Sequence, residues 1–234
     1  MRKFFSTYLL LLIFTQTIFS DSFTYNSFNN HGGIGLINMP TARFYDESSY
    51  GLTFYNGDPD QKITMTSFPY NWMEASFFYT NITNRKYCSN INDLVCNQDY
   101  KDKGFNFKFR IKEEGVFPAI AIGINDIAGT GFYGSEYIVA SYGINDIDLH
   151  FGLGWGTLNG SKNNIKNPLG YIVDNFFERP TELEDNYEFQ GTGEFQPGRY
   201  FSGEKVSPFV GISYALNSKI LIKLETDNTL TPGK

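Results

Sequence analysis

Residues 105 to 112, FNFKFRIK, alternate without a break between apolar and polar side chains. In an extended chain successive side chains point to opposite faces. Phe105, Phe107, Phe109 and Ile111 therefore share one face, and Asn106, Lys108, Arg110 and Lys112 share the other. The pattern demands a strand with one apolar and one mostly cationic side, and leaves open which side meets water. A soluble sheet turns the aromatics inward to a core, whereas a membrane barrel turns them to lipid and lines a wet lumen with the charges.

The same alternation recurs along the chain, at Ser49 to Asn56, Lys62 to Ser67, Trp72 to Asn81, Gly104 to Lys112, Pro118 to Asn125, Glu136 to Tyr142, Ile147 to Gly156, Ser207 to Tyr214 and Lys219 to Thr226. Each of these is expected to be a strand, and GIGLINM at 33 to 39 is a candidate for one more. In IDLHFGLGW, Ile147, Leu149, Phe151, Leu153 and Trp155 fall on one face, with Asp148, His150, Gly152 and Gly154 on the other. From the third strand onward the connections alternate between long (82 to 103, 126 to 135, 157 to 206) and short (113 to 117, 143 to 146, 215 to 218). Up-and-down barrels have this rhythm, with tight turns at one rim and long polar loops at the other. The reading is an all-β chain forming an up-and-down antiparallel transmembrane β-barrel. Phe105, Phe107, Phe109, Leu149, Phe151 and Leu153 face lipid in it. Lys108, Arg110, Lys112, Glu136, Asp148 and His150 face the lumen, and Glu74, Glu136 and Asp148 are the expected partners of the lumen cations, because burying an unpaired charge is costly.

The beginning of the chain supports export. Arg2 and Lys3 precede an apolar stretch from Tyr8 to Phe14, too short for a spanning helix, and a polar segment ending near Ser20. This is the pattern of a secretory signal over residues 1–20, followed by a barrel region over residues 21–234 with long polar loops near 82–103 and 157–206. That region has no apolar run near the roughly 20 residues a helical span needs, so a membrane protein of this sequence spans with strands. Phe, Tyr and Trp make up 18% of the chain, and 23 glycines accompany them, a strand-and-turn composition. A net charge of -6 provides no basic stripe for nucleic acid.

In an exported chain Cys88 and Cys96 are expected to pair in an outward polar loop, where so short a closure contributes about 2 to 3 kcal/mol. No metal site is expected, since His31 and His150 are far apart and no CxxC spacing occurs. No cofactor is expected either: GLGWG at 152 to 156 has no helix pattern behind it for a nucleotide loop, and its glycines leave room on one strand face for bulk opposite. Asp148 and His150 share a face and could serve hydrolysis, but no GxSxG elbow accompanies them, and a hydrogen-bond network is the expected role.

Two stretches go beyond pattern: GGIGLINMPTARFYDESSYG at 32 to 51, and DKGFNFKFRI through PAIAIGINDIAGTGFYGSEYIVASYGINDIDLHFGLGWGTL at 102 to 158. They resemble the N-terminal part of the YjbH family, outer-membrane proteins tied to exopolysaccharide production, and RYFSGEKVSPFVGISYAL at 199 to 216 resembles it more faintly. The resemblance implies a non-enzymatic barrel in the bacterial outer membrane. Its implied partners are outer-membrane lipid, an extracellular polysaccharide and other exopolysaccharide-secretion proteins. It also implies much longer relatives, with two barrels in tandem, and so an incomplete barrel here. The rival readings are a soluble periplasmic or secreted glycan-binding β-protein and a barrel-borne hydrolase.

Overall fold

The computed structural model describes residues 26–87, 98–127, 129–179 and 197–230. Ten strands form one antiparallel sheet: β1 (Ser49–Asn56), β2 (Asp60–Tyr70), β3 (Met73–Tyr87), β4 (Gln98–Lys112), β5 (Ala119–Ile127), β6 (Ser135–Ile144), β7 (Ile147–Gly154), β8 (Ile165–Lys166), β9 (Lys205–Asn217) and β10 (Ile220–Glu225). Nine of them follow one another as a meander, β1-β2-β3-β4-β5-β6-β7-β9-β10, and the two-residue β8 hangs on the start of β9. Each of the nine expected strands is present. Where the sequence pattern places a loop over 82–103, β3 runs on to Tyr87 and β4 starts at Gln98. Cys88 and Cys96 lie outside the described residues.

Among the described residues the sheet does not close into a barrel: β1 pairs only with β2, and β10 only with β9. The candidate extra strand at 33–39 does not join the sheet either. It forms two isolated bridges, Phe28 with Ile34 and Gly35 with Pro40, inside an irregular segment that lies on the concave side of the sheet. The reason is local. GGIGLINMP carries three glycines and a proline and lacks the period-two alternation that a half-buried strand requires.

Turn chemistry sets the ends of the strands. Residues 71–72, 145–146 and 218–219 join β2 to β3, β6 to β7 and β9 to β10 at one rim. In the second of these Asn145 takes φ +54°, a left-handed conformation that asparagine tolerates better than most residues. The opposite rim carries the longest connections, those from β3 to β4 and from β7 to β9. The second of these is folded back by Asn167, whose side-chain amide donates to the carbonyls of Phe176, Phe201 and Gly203.

The two faces of the sheet differ in the opposite sense to a soluble fold. On the convex face Tyr50 is 86% exposed, Phe54 72%, Leu224 66% and Phe151 54%, with Leu52, Ile63, Met65, Phe77, Phe105, Leu149, Ile212 and Ile222 also exposed. On the concave face Thr64, Thr66, Glu74, Ser76, Lys108, Ser141, Asp148, His150 and Ser213 are buried. Outward positions are thus mostly apolar, while inward positions carry the buried polar groups together with Phe68, Ala119, Ala121, Tyr137, Val139 and Phe209.

Candidate functional site

The concave face is filled by residues 26–47, and every one of the nine long strands meets this segment. Its apolar side chains Ile34, Leu36, Met39, Ala42 and Phe44 form a buried cluster with Phe68 of β2, Ala119 and Ala121 of β5, Tyr137 and Val139 of β6 and Phe209 of β9. Glycines on the wall make room for such bulk. A Cβ on Gly211 would come within 2.1 Å of Leu36, and one on Gly152 within 2.3 Å of the Phe209 ring. The glycine face of GLGWG is therefore a packing surface.

Polar wall groups bind the segment's backbone, which has no ladder of its own to satisfy it. Glu74 accepts from Ile34 N–H through both carboxylate oxygens at 3.3 Å. The Lys108 ammonium donates to the carbonyls of Ile34 (3.2 Å) and Arg43 (2.9 Å) and pairs with Glu74 at 2.7 Å. Thr66 donates to Gly32 O at 2.6 Å, and Ser141 Oγ accepts from Ala42 N–H at 2.9 Å. On the last strand the Glu225 carboxylate accepts from three successive backbone N–H groups, those of Ile37, Asn38 and Met39, at 2.8 to 3.1 Å. Its neighbour Lys223 donates to Gly35 O and Leu36 O.

A second network centres on Arg43. Its guanidinium grips Asp148 through Nε at 2.8 Å and Nη2 at 2.6 Å, and Nη2 also reaches Glu114 at 2.5 Å. The two carboxylates share one fork, and Glu114 also accepts from Gly143 N–H. His150 Nδ1 lies 2.8 Å from Ser141 Oγ, while Nε2 lies 3.4 Å from Ser213 Oγ and 3.6 Å from Asp148 Oδ2. Ser141, His150 and Asp148 thus occur together, an assembly that the sequence pattern could not supply because the serine sits on a neighbouring strand. All three are buried beneath the N-terminal segment, Ser141 is occupied by Ala42 N–H and Asp148 by Arg43. With both sites engaged, the trio works as a holding network for Ala42 and Arg43.

The residues expected to line a lumen separate into groups. Lys108 (1% exposed), Asp148 and His150 lie against the N-terminal segment. Glu136 is as buried as Lys108, but against the expectation it does not face the concave side: it alternates with the inward Ser135 and Tyr137, pairs across with Ile124, and is covered by the long loop. It takes a bidentate Arg179 at 2.7 and 3.0 Å and accepts from Phe201 N–H. Arg110 pairs with Glu113 near the rim and stacks over Phe44. Lys112 is exposed at the end of β4, where its ammonium lies over the Phe117 ring. The expected partners Glu74, Glu136 and Asp148 each hold a cation. Among the described residues, Lys108 with Glu74 and His150 beside Asp148 are the contacts between residues grouped together in advance, since the arginines that engage Glu136 and Asp148 come from irregular segments.

A cavity of about 40 Å³ remains between the segment and the wall, lined by His31, Lys62, Glu74, Asn106, Lys108 and Tyr137 among others. This is room for about three waters. The Lys62 ammonium lies over the rings of Tyr133 (3.9 Å) and Phe78 (5.2 Å). Burial, and after it the Lys62 charge, lower the His31 pKa to about 3, so this imidazole is neutral at physiological pH. No group of His, Cys, Asp and Glu among the described residues is arranged to hold a metal ion.

Comparisons with known proteins cover both the sheet and its N-terminal segment. A family model described as "Exopolysaccharide biosynthesis protein YbjH" matches residues 27–230. "Uncharacterized lipoprotein YjbH" of Escherichia coli (strain K12) is 35% identical over 177 residues, which cover 75% of this chain and 25% of the relative. The chain thus spans about a quarter of the length of the curated relative it matches. No solved structure matches.

Proposed function

Because the chain belongs to the YjbH exopolysaccharide biosynthesis family, we propose that its sheet lies in the bacterial outer membrane, convex face in lipid. There it serves as a non-enzymatic component of the apparatus that secretes or assembles an extracellular polysaccharide. The observation that carries this reading is the inversion of polarity. Phe54, Phe77, Phe105, Phe151 and Ile222 are exposed while Glu74, Lys108, Asp148 and His150 are buried. In water that arrangement leaves a large continuous apolar surface unpaired, whereas in hydrocarbon the same surface is solvated and the charges are sheltered.

Strand lengths support the reading. β2 has 11 residues, β3 and β4 have 15 each and β9 has 13, against the roughly 9 to 11 needed to cross a membrane at a tilt. An aromatic row at the short-turn rim supports it further. Tyr70 stacks on Trp72 with centroids 5.2 Å apart, and Trp72 on Phe109 at 6.2 Å, as suits a membrane–water boundary.

Membrane flotation and alkaline extraction of the exported chain test the location. The chain should travel with the outer membrane and resist extraction. Recovery in the soluble periplasmic fraction would defeat the reading. Deleting its gene in the native host should lower extracellular polysaccharide, and unchanged polymer would remove the proposed role.

A further inference from the structure

Among the described residues the two ends of the meander are unpaired edges. β1 offers SYGLTFYN and β10 offers ILIKLE, and neither contains proline. Soluble proteins blunt such edges with outward charges, proline or bulges, and of these β10 shows one register shift, between Ile220 and Leu221. Here the side chains flanking the open backbone on the convex face are Tyr50, Leu52 and Phe54 at one end and Ile220, Ile222 and Leu224 at the other, all exposed. The only charges on β10, Lys223 and Glu225, are turned to the concave side and spent on residues 35–39. In hydrocarbon an open edge is not tolerated, since each unpaired N–H or C=O costs several kcal/mol.

Strand direction decides what can close the gap. All eight pairings along the nine-strand path are antiparallel, so directions alternate and β1 and β10 run the same way. Joining them directly would make a parallel pair. A second copy in the same membrane does not help, because rotation about the membrane normal preserves strand direction. β10 against a neighbour's β1, or either edge against its own counterpart, is again parallel. An inserted β-segment with an odd number of strands restores antiparallel pairing at both edges and gives the even total of bacterial single-chain barrels.

The N-terminal segment holds the opening at a set width. Phe28 packs beneath Gly51 of β1, within 2.3 Å of where a Cβ would stand, and Ile37 to Met39 are bound by Glu225 of β10. One short stretch thus tethers both edge strands from inside and leaves their outer backbone groups free for a partner.

From these observations we infer that β1 and β10 are docking edges for an odd-numbered antiparallel β-segment with apolar side chains outward, and not for a second copy of this chain. The occupant is additional polypeptide of the kind that the E. coli relative carries, three quarters of which lies outside the match. The inference rests on the membrane reading above. Its test compares this chain alone with a chimaera in which it replaces the matched quarter of the E. coli relative, both in outer membranes. Amide hydrogen exchange at Tyr50 to Tyr55 and Ile220 to Leu224 should be at least about tenfold slower in the chimaera, in a protease-resistant monomer. The chain alone, still membrane-bound, should exchange fast at both edges. Protected edges in the isolated chain, as monomer or homodimer, would overturn the inference while leaving the membrane reading intact, and so would fast exchange in the chimaera. An intact but water-soluble chain would instead sink the membrane reading itself.

Discussion

Lys108 shows how much one residue's role depends on partners that its own strand does not reveal. Its place on the polar face follows from FNFKFRIK, and its pairing with Glu74 follows from the register that sets Glu74 opposite Lys108 across β3 and β4. Its hydrogen bonds to Ile34 O and Arg43 O do not, because no periodicity links those residues to β4. Replacing Lys108 by Met leaves Glu74 buried and unpaired, and should cost about 3 to 5 kcal/mol in urea unfolding in detergent. The double variant Lys108→Met/Glu74→Leu removes the unpaired charge but leaves Ile34 N–H, Ile34 O and Arg43 O without these partners, so it should recover only part of that loss. The convex face obeys a different rule. Phe151→Arg should cost about 2 to 4 kcal/mol of folding in bilayers, while Lys112→Gln at the exposed end of β4 should be close to neutral. Equal tolerance of the two would contradict the assignment of faces. His31 supplies a pH test. Its folded pKa of about 3 lies below the ordinary 6.5, so the folded state resists its protonation. Stability from neutral His31 is complete above pH 6.5 and is lost as the pH falls from 6.5 toward 3. His31→Gln should therefore lose less melting temperature than the parent between pH 7 and pH 4, and equal losses would refute the burial of that imidazole.

At the scale of elements, strands were legible and the N-terminal segment was not. A period of two is a local signal, and all nine long strands follow it closely enough for their centres to be read directly from the sequence. Their ends were harder. β3 continues through Ile82 to Tyr87 and β4 begins with Gln98 and Asp99, because polar residues at a rim pair as readily as apolar ones once register is set. Residues 26–47 carry no period. Their conformation comes from anchors that are distant in sequence, Glu225 and Lys223 above all, which lie about 190 residues away. The available clue was chemical: a glycine-rich stretch, and glycines such as Gly152 and Gly211 on facing positions that ask for bulk opposite. Glu225→Ala leaves three N–H groups of residues 37–39 without their acceptor and should cost about 2 to 3 kcal/mol. Limited proteolysis should then cut near residues 35–39 sooner than in the parent, and an unchanged cleavage pattern would show that the segment is held without β10.

For the molecule as a whole, one physical fact organises the rest: the side of the sheet that would be the core of a soluble protein is on the outside. On the membrane reading proposed above, the buried charges, the N-terminal segment that engages them and the unpaired edges all follow from a sheet that faces hydrocarbon. The chain belongs to an exopolysaccharide biosynthesis family. Spin labels provide the most direct test. Single cysteines at Leu52, Phe77, Phe151 and Ile222, in a Cys88→Ser/Cys96→Ser background reconstituted into bilayers, report whether each site meets lipid or water. The account predicts strong relaxation by oxygen and weak relaxation by a water-soluble nickel chelate at all four positions, with the reverse at Lys112. Relaxation by the chelate at all four that matches Lys112 would contradict it.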